Sequence, residues 1–221
     1  FNKTVFKNFT TQVIADNAQR GTLKLLDVVF AGFMKDGLQG STSMASAAAK
    51  TYHIDGLTLS NVVSTDPNAC VVVSATRLST STNPFSFYAR NITGTITAPA
   101  ALGTAATAAI VVATGITRAN NLAGVIAPLT IEGCDGTING YSTTNSCYGF
   151  LIVNSAAGAA ATAHGPLVRN NTLRFNAPAG YGISIGDTST AYDVNDAVVY
   201  GNVVTVPYYA NSTPHCIAIG R

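Results

Sequence analysis

The sequence is poor in charge. Among 221 residues it has twelve basic and ten acidic side chains, no tryptophan, and a single glutamate, Glu132. A net charge of +2 spread over scattered basic residues gives no electrostatic footprint for nucleic acid or for an anionic membrane surface. No uninterrupted apolar run approaches the roughly 18 residues of a spanning helix. We therefore expect neither a nucleic-acid partner nor insertion into a membrane.

Metal-binding patterns are also missing. Cys70, Cys134, Cys147 and Cys216 include no CxxC pair and no histidine at ligand spacing, so we predict no zinc site and no other metal or cofactor. Two interpretations of the cysteines stay open. They are four small buried apolar side chains, as free cysteines often are, or Cys134 and Cys147 form a disulfide.

A repeated unit is present instead. The stretch from Pro166 to Phe175 alternates apolar and polar residues on both sides of an Asn pair, and a second alternating run, 180–186, follows it. Similar units recur along the chain at intervals of about 30 to 40 residues. Their equivalent corner positions are predicted at Asp27, Gly56, Asn91, Cys134, Asn171 and Asn202. Each unit holds two or three short strands whose inward residues are Val, Ile, Leu or Phe.

The pattern predicts an all-β solenoid, a parallel β-helix of about six rungs. One unit cannot bury its apolar face alone, but units stacked at roughly 4.8 Å per rung can. We assign residues 1–21 to an opening coil or cap and residues 22–221 to the β-helix domain. Residues 23–33 also fit helical spacing, but we favour a strand because 27–32 matches 56–61 step for step. An antiparallel sandwich is the alternative fold, although Asn139-Gly140 is its only hairpin signal.

The Asn-Asn corner of 168–175, followed by Gly182-Ile-Ser-Ile185, resembles the right-handed parallel β-helix repeat of pectate-lyase-like proteins, a class that includes bacteriophage tailspikes. The low-charge composition, rich in Thr, Ser, Ala and Asn, is more similar to tailspikes and tail fibres than to secreted pectinases. The resemblance implies a trimeric virion appendage, located outside the cell or on the phage tail, that contacts other virion proteins and recognises surface polysaccharide. The chain starts at Phe1 and stops just after Ile217-Ala-Ile219, so we expect it to be part of a longer protein.

The alternative function is an enzyme of the same class that cleaves polysaccharide, either a glycoside hydrolase or a lyase. Aligning the corners predicts one outward-facing column that contains Asp55, Ala89, Glu132, Arg169 and Tyr200. Glu132, Asp135 and Asp55 are the candidate catalytic carboxylates. Two rungs span roughly 9.6 Å, near the upper end of the ~6.5–9.5 Å separation in inverting glycosidases. The competing interpretation is that Glu132 forms a surface ion pair with Arg169.

Candidate binding residues are Arg169, Tyr200, Tyr208 and Tyr209, because aromatic rings can stack on the apolar faces of sugars. The same tyrosines also fit loop packing or a subunit interface. Three aspartates, at positions 187, 193 and 196, crowd one loop, where a solvated turn is favoured over a calcium site because the spacing matches no EF-hand.

Overall fold

The computed structural model describes residues 1–16, 21–42, 50–65, 69–77, 85–98, 107–114, 129–140, 146–153, 163–176, 180–186, 194–195, 197–206 and 215–219. Every regular element in these ranges is a β-strand.

The first third of the chain forms β1 (Val5–Lys7), β2 (Gln12–Asp16), β3 (Gly21–Leu26), β4 (Val29–Met34), β5 (Asp36–Thr42), β6 (Lys50–Asp55), β7 (Thr58–Ser64) and β8 (Ala69–Arg77). The middle forms β9 (Phe85–Arg90), β10 (Thr93–Thr97), β11 (Thr107–Thr114), β12 (Leu129–Glu132), β13 (Asp135–Asn139) and β14 (Ser146–Val153). The last part forms β15 (Ala163–His164), β16 (Leu167–Arg169), β17 (Thr172–Asn176), β18 (Gly180–Ile185), β19 (Val194–Asn195), β20 (Val198–Tyr200), β21 (Val203–Thr205) and β22 (His215–Ile219).

These strands build three main sheets in which neighbours are three strands apart along the chain up to β14 and four apart beyond it, because β15 and β19 pair separately. Sheet A has the order β3-β6-β9-β12-β16-β20, sheet B runs β1-β4-β7-β10-β13-β17-β21, and sheet C runs β2-β5-β8-β11-β14-β18-β22. All strand pairs in them are parallel, as is the small β15–β19 pair. The stacked order is consistent with a solenoid-like β-helix, and the antiparallel sandwich is wrong for the described strands. We call one passage through sheets A, B and C a coil.

The interior is lined by the inward-facing residues of all three sheets. In sheet A one such row contains Leu25, Ile54, Ala89, Ile131 and Val168, and all five are fully buried. Because the side chains of a strand alternate between its two faces, each coil buries every second residue against the coils beside it. Burial of a Val, Leu or Ile side chain contributes about 1.5–3 kcal/mol, so the stack depends on this alternation.

The start of the described chain joins the same stack. Strand β1 pairs with β4, and β2 pairs with β5, both in parallel. The Phe6 ring lies against Phe1, Phe9 and Phe30, with centroid distances of 5.4, 6.0 and 5.9 Å. Residues 1–21, assigned from sequence to an opening coil or cap, thus contribute both strands and an aromatic cluster.

The ambiguous segment 23–33 is extended, as the sequence argument favoured. It forms most of β3 and β4, and Val29, Phe30 and Ala31 pair with Thr58, Leu59 and Ser60. The step-for-step match between 27–32 and 56–61 is therefore a true structural register.

A left-handed residue turns the chain from sheet A into sheet B in successive coils. The corner series is Asp27, Gly56, Asn91, Gly133, Asn170 and Gly201, with φ from 51° to 75°. The predicted corners at Cys134, Asn171 and Asn202 were wrong by one residue. Gly and Asn tolerate positive φ better than other residues, and this determines which position takes the turn.

The residue after the corner forms an asparagine ladder in the last coils. The Asn171 side chain is buried, and its Oδ1 accepts from Cys134 N–H at 2.9 Å while its Nδ2 donates to the Ile131 carbonyl at 3.2 Å. The Nδ2 group also lies 2.8 Å from Asn202 Oδ1. Asn202 Nδ2 in turn donates to the Val168 carbonyl at 2.9 Å. Side-chain amides of successive coils are thus in contact one position beyond the turn.

The cysteines do not form the proposed disulfide. Cys134 and Cys147 are free thiols, both buried, and Cys216 is free and exposed. The disulfide between Cys134 and Cys147 is therefore wrong, as is the prediction that all four side chains are buried. The side chain of Cys70 lies outside the described residues.

One buried ion pair links different coils near the start of the stack. Lys50 Nζ lies 2.6 Å from Asp16 Oδ2, with 4% and 10% of the two side chains exposed. The Lys50 ammonium also lies 5.1 Å from the centroid of the buried Tyr52 ring. The ion pair joins the last residue of β2 to the first residue of β6. Removing either side chain would leave the other as a buried unpaired charge, which is strongly destabilising.

Candidate functional site

The outer face of sheet A carries an unusual concentration of charge for this chain. Its charged column, at the last residue of β6, β9, β12, β16 and β20, consists of Asp55, Arg90, Glu132, Arg169 and Tyr200 in direct register. Ala89, the predicted member, faces the core and is fully buried. The correction has a simple cause: Asn91 is equivalent to Gly133 rather than to Cys134, so the strand shifts by one residue and its outward side chain is that of Arg90.

Glu132 lies between two arginines in this column. Its Oε1 is 2.8 Å from Arg90 Nε, and its Oε2 is 2.5 Å from Arg169 Nε. The predicted Glu132–Arg169 pair is present, and Arg90 adds a partner from the opposite side. The Glu132 side chain is 19% exposed, whereas Arg90 and Arg169 keep 39% and 34%. The carboxylate is therefore the inner member of the triad, and the guanidinium groups are the outer ones.

Tyr200 extends the same network. Arg169 Nη1 donates to the Tyr200 hydroxyl at 3.0 Å. The pKa of Arg169 is raised from its ordinary value, first by this hydrogen bond and then by the hydrogen bond and charge of Glu132. Tyr200 itself is 47% exposed, so its ring is accessible beside a fixed guanidinium.

A second outward column runs beside the charged one, two residues earlier in each strand. Its members in register are Lys24, His53, Tyr88, Thr130, Leu167 and Val198. The His53 and Tyr88 rings are 6.0 Å apart, and the Arg90 guanidinium carbon is 6.0 Å from the Tyr88 centroid. Aromatic rings and guanidinium groups thus share the outer face of sheet A, and the cation–π contact orients Arg90 over Tyr88.

The three candidate carboxylates do not lie together. Asp55 and Glu132 occupy the charged column with Arg90 between them, and Asp55 Oδ1 accepts from Asn91 Nδ2 at 2.7 Å. Asp135 lies past the corner on the outer face of sheet B, where it forms an exposed ion pair with Arg174. Sequence proximity placed Asp135 beside Glu132, but the turn at Gly133 puts them on different sheets.

Other predicted residues fall beyond the described structure. Tyr208, Tyr209 and the aspartates at 187, 193 and 196 lie outside the described residues. A different tyrosine pair, Tyr148 and Tyr181, stacks on sheet C with centroids 5.2 Å apart and an interplanar angle of 13°. This pair was not predicted as a unit, and its signal was available: both residues precede a Gly at the same point of the repeat.

Arg90 is the residue that the sequence analysis missed. The run Phe87-Tyr88-Ala89-Arg90 alternates in and out, and the two buried members are Phe87 and Ala89. This alternation was a usable signal, since Ala89 stands two residues after Phe87 and therefore belongs to the same face.

The described residues contain no group of three His, Cys, Asp or Glu side chains placed to hold a metal ion. They also contain no helix with the length and apolar character needed to cross a membrane. Comparison with protein-family models, curated proteins and solved structures found no match to this chain.

Proposed function

We propose that this protein is a virion structural or attachment component, similar to a tailspike or tail fibre, and that it recognises surface polysaccharide of the host. In this proposal the stack is a right-handed parallel β-helix of about six rungs. The protein works outside the cell or on the phage tail, as a trimer held among other virion proteins.

One observation carries the saccharide part of the proposal: the outer face of sheet A combines oriented polar groups with accessible rings. Arg90, Glu132 and Arg169 repeat at the strand spacing, so hydrogen-bonding groups recur along a line roughly every 4.8 Å. Tyr88 and Tyr200 flank them with ring surfaces on which the apolar face of a sugar can stack. A linear polymer of polar rings complements such a surface.

The virion part of the proposal rests on the low-charge, Thr- and Asn-rich composition together with the stacked parallel sheets. Sedimentation of the full-length protein is expected to give a trimer. A monomer that is absent from any particle would remove this proposal.

Adsorption to bacterial surface polysaccharide tests the binding role. The full-length assembly is incubated with capsule and lipopolysaccharide preparations, and bound and free saccharide are separated. We expect retention of at least one preparation and its loss in the double variant Arg90→Gln/Arg169→Gln. Arg174→Gln is the matched control, because Arg174 also pairs with a carboxylate but lies on sheet B. Retention that survives the double variant would place recognition elsewhere.

Polysaccharide cleavage is the second candidate, favoured by one observation. Asp55 and Glu132 share the charged column two strands apart, roughly 9.6 Å by strand spacing. However, Glu132 Oε2 already accepts from Arg169 Nε–H and Oε1 lies 2.8 Å from the cationic Arg90 Nε, whereas a general acid must carry a proton toward the leaving oxygen. We expect binding without products. Shortened saccharides that disappear in Glu132→Gln would make this glutamate the catalytic acid instead.

A further inference from the structure

We propose that the Arg90–Glu132–Arg169 triad is a site for an anionic substituent of the bound saccharide, such as a carboxylate, phosphate or sulfate. This inference rests on the proposed binding function and names the chemical class of its ligand. It depends on the charge balance of the triad, the orientation of its guanidinium groups and the scarcity of charge elsewhere on the chain.

The triad itself carries one unit of positive charge, because two guanidinium groups lie beside one carboxylate. Asp55 is the next residue of the column, in register with Arg90, so the column as a whole is balanced. Asp55 Oδ1 accepts the Asn91 side-chain amide at 2.7 Å and does not belong to the triad. In a chain with only ten acidic and twelve basic residues, four adjacent charged positions in one column are a marked concentration.

Glu132 lies against the Nε edge of each arginine. Its Oε2 accepts from Arg169 Nε at 2.5 Å, and its Oε1 forms an ion pair, without a hydrogen bond, with Arg90 Nε at 2.8 Å. The Nε edges are thereby turned toward the inner carboxylate, and the side chains still keep more than a third of their surface exposed. Arg169 is fixed further by the Tyr200 hydroxyl, and Arg90 by the Tyr88 ring.

Fixed guanidinium groups suit the recognition of oxyanions. The planar fork of arginine matches carboxylate and phosphate oxygens, and prior fixation lowers the entropy lost on binding. Arg90 and Arg169 lie two strand spacings apart, roughly 9.6 Å, so they address two points along a polymer. Glu132 is a positioning residue in this arrangement and does not contact the ligand.

The test uses oligouronates prepared from alginate as the anionic probe and the same fragments with esterified carboxyl groups as the neutral control. We expect the full-length protein to bind the acid form and to bind the ester at least tenfold more weakly. Affinity should fall as salt rises from low to physiological ionic strength, because the charges are exposed. Loss of one charge-assisted hydrogen bond corresponds to about tenfold, so Arg90→Gln and Arg169→Gln should each weaken binding by that factor.

Conservative variants separate geometry from charge. Arg169→Lys keeps the charge but loses the fork, and we expect it to recover only part of the affinity lost in Arg169→Gln. Arg174→Gln on sheet B should have no effect. Equal binding of the acid and ester forms, or no binding of the acid form at any salt concentration, would overturn the anion site. If a neutral host polysaccharide binds and Arg90→Gln weakens it, the attachment proposal stands while this inference fails.

Discussion

At the scale of single residues, the turn from sheet A to sheet B depends on an alternation of side chains with glycine. Asp27, Asn91 and Asn170 are followed in the next coil by Gly56, Gly133 and Gly201. A Cβ at Gly133 would lie 2.7 Å from Asn91 Oδ1, closer than real Cβ contacts allow. The oxygen cannot move freely, because the same amide donates to Asp55. Each polar corner side chain thus occupies the space that the following glycine leaves.

We expect Gly133→Ala to destabilise the fold by about 2–3 kcal/mol, from left-handed backbone strain of about 1–2 kcal/mol and the contact with Asn91. Gly165→Ala is the matched control, since Gly165 has a similar φ of 71° but nothing within 4 Å of an added Cβ. Urea unfolding measures both. Equal losses of unfolding free energy in the two variants would show that the Asn91 contact carries no cost. If the contact does carry a cost, adding Asn91→Ala to Gly133→Ala should restore part of the lost stability.

The buried thiols make stability depend on alkaline pH. Burial is the main cause that raises the pKa of Cys134, to about 12, and burial raises that of Cys147 to about 11. The unfolded thiols lose their protons near the ordinary value of 9.0, while the folded ones keep them. The contribution of the two protonated thiols to the free energy of unfolding is therefore complete below about pH 9. It falls as pH rises toward 11, by up to about 1.4 kcal/mol per pH unit for each thiol.

Urea unfolding between pH 8 and 10, with reductant present, measures this slope. Cys134→Ala/Cys147→Ala should lower stability at all pH values, through lost packing, but flatten the decline above pH 9. Tyr52 is also buried and burial raises its pKa, so ionisation of this tyrosine in the unfolded chain lowers stability further above pH 10. An unchanged slope between pH 9 and 10 in the double variant would contradict the assignment to these thiols.

At the scale of strands, the alternation of faces decides which substitutions are tolerated. Val168 in β16 is fully buried, whereas its neighbour Leu167 is half-buried on the outer face. We expect Val168→Asp to unfold or aggregate the protein, because it places an unpaired charge among apolar side chains, at a cost above about 4 kcal/mol. Leu167→Asp should cost far less. Thermal unfolding compares them, and an unaltered melting temperature for Val168→Asp would mean that the two faces are exchanged.

The asparagine ladder couples successive strands through their ends. Asn171→Ala would leave the buried Cys134 N–H and the Ile131 carbonyl without their side-chain partner, and we expect a loss of about 2–4 kcal/mol. Asn176→Ala removes an exposed amide that contacts Asn139 Oδ1, and it should cost about 0.5 kcal/mol. Unfolding in urea measures the difference. Similar losses in the two variants would show that burial of the ladder adds nothing.

The strands were largely readable from the sequence because burial imposes a period of two. The segments around Pro166–Phe175 and Asp27–Gly32 were placed correctly on this basis. The corner register was not: at Asn170-Asn171 only backbone angles show which Asn turns, and at the other two corners the turn is taken by Gly133 and Gly201, one residue before the predicted positions. The same one-residue shift assigned Ala89, instead of Arg90, to the outer face of sheet A. Ion-pair geometry was readable only in part, since the sequence paired Glu132 with Arg169 but gave no sign that Arg90 reaches the same carboxylate.

At the scale of the whole molecule, stacking converts local repeats into a continuous surface. Each coil contributes one residue to the charged column, so Asp55, Arg90, Glu132, Arg169 and Tyr200, separated by 145 positions from first to last, form one line. No single coil could present this line. The saccharide-binding proposal therefore depends on the parallel register of sheet A, and a disruption of that register would abolish the site without changing any of its residues.

The most direct test of the central claim is NMR observation of the arginine Nε–H groups during titration with a surface oligosaccharide that the protein retains. The chain has seven arginines, so single Arg→Gln variants can assign the signals. Our account predicts that the Arg90 and Arg169 signals shift with saturation while Arg174, on sheet B, stays unchanged. Saturable binding that leaves Arg90 and Arg169 unmoved, or that shifts Arg174 instead, would contradict the assignment of the outer face of sheet A as the binding surface.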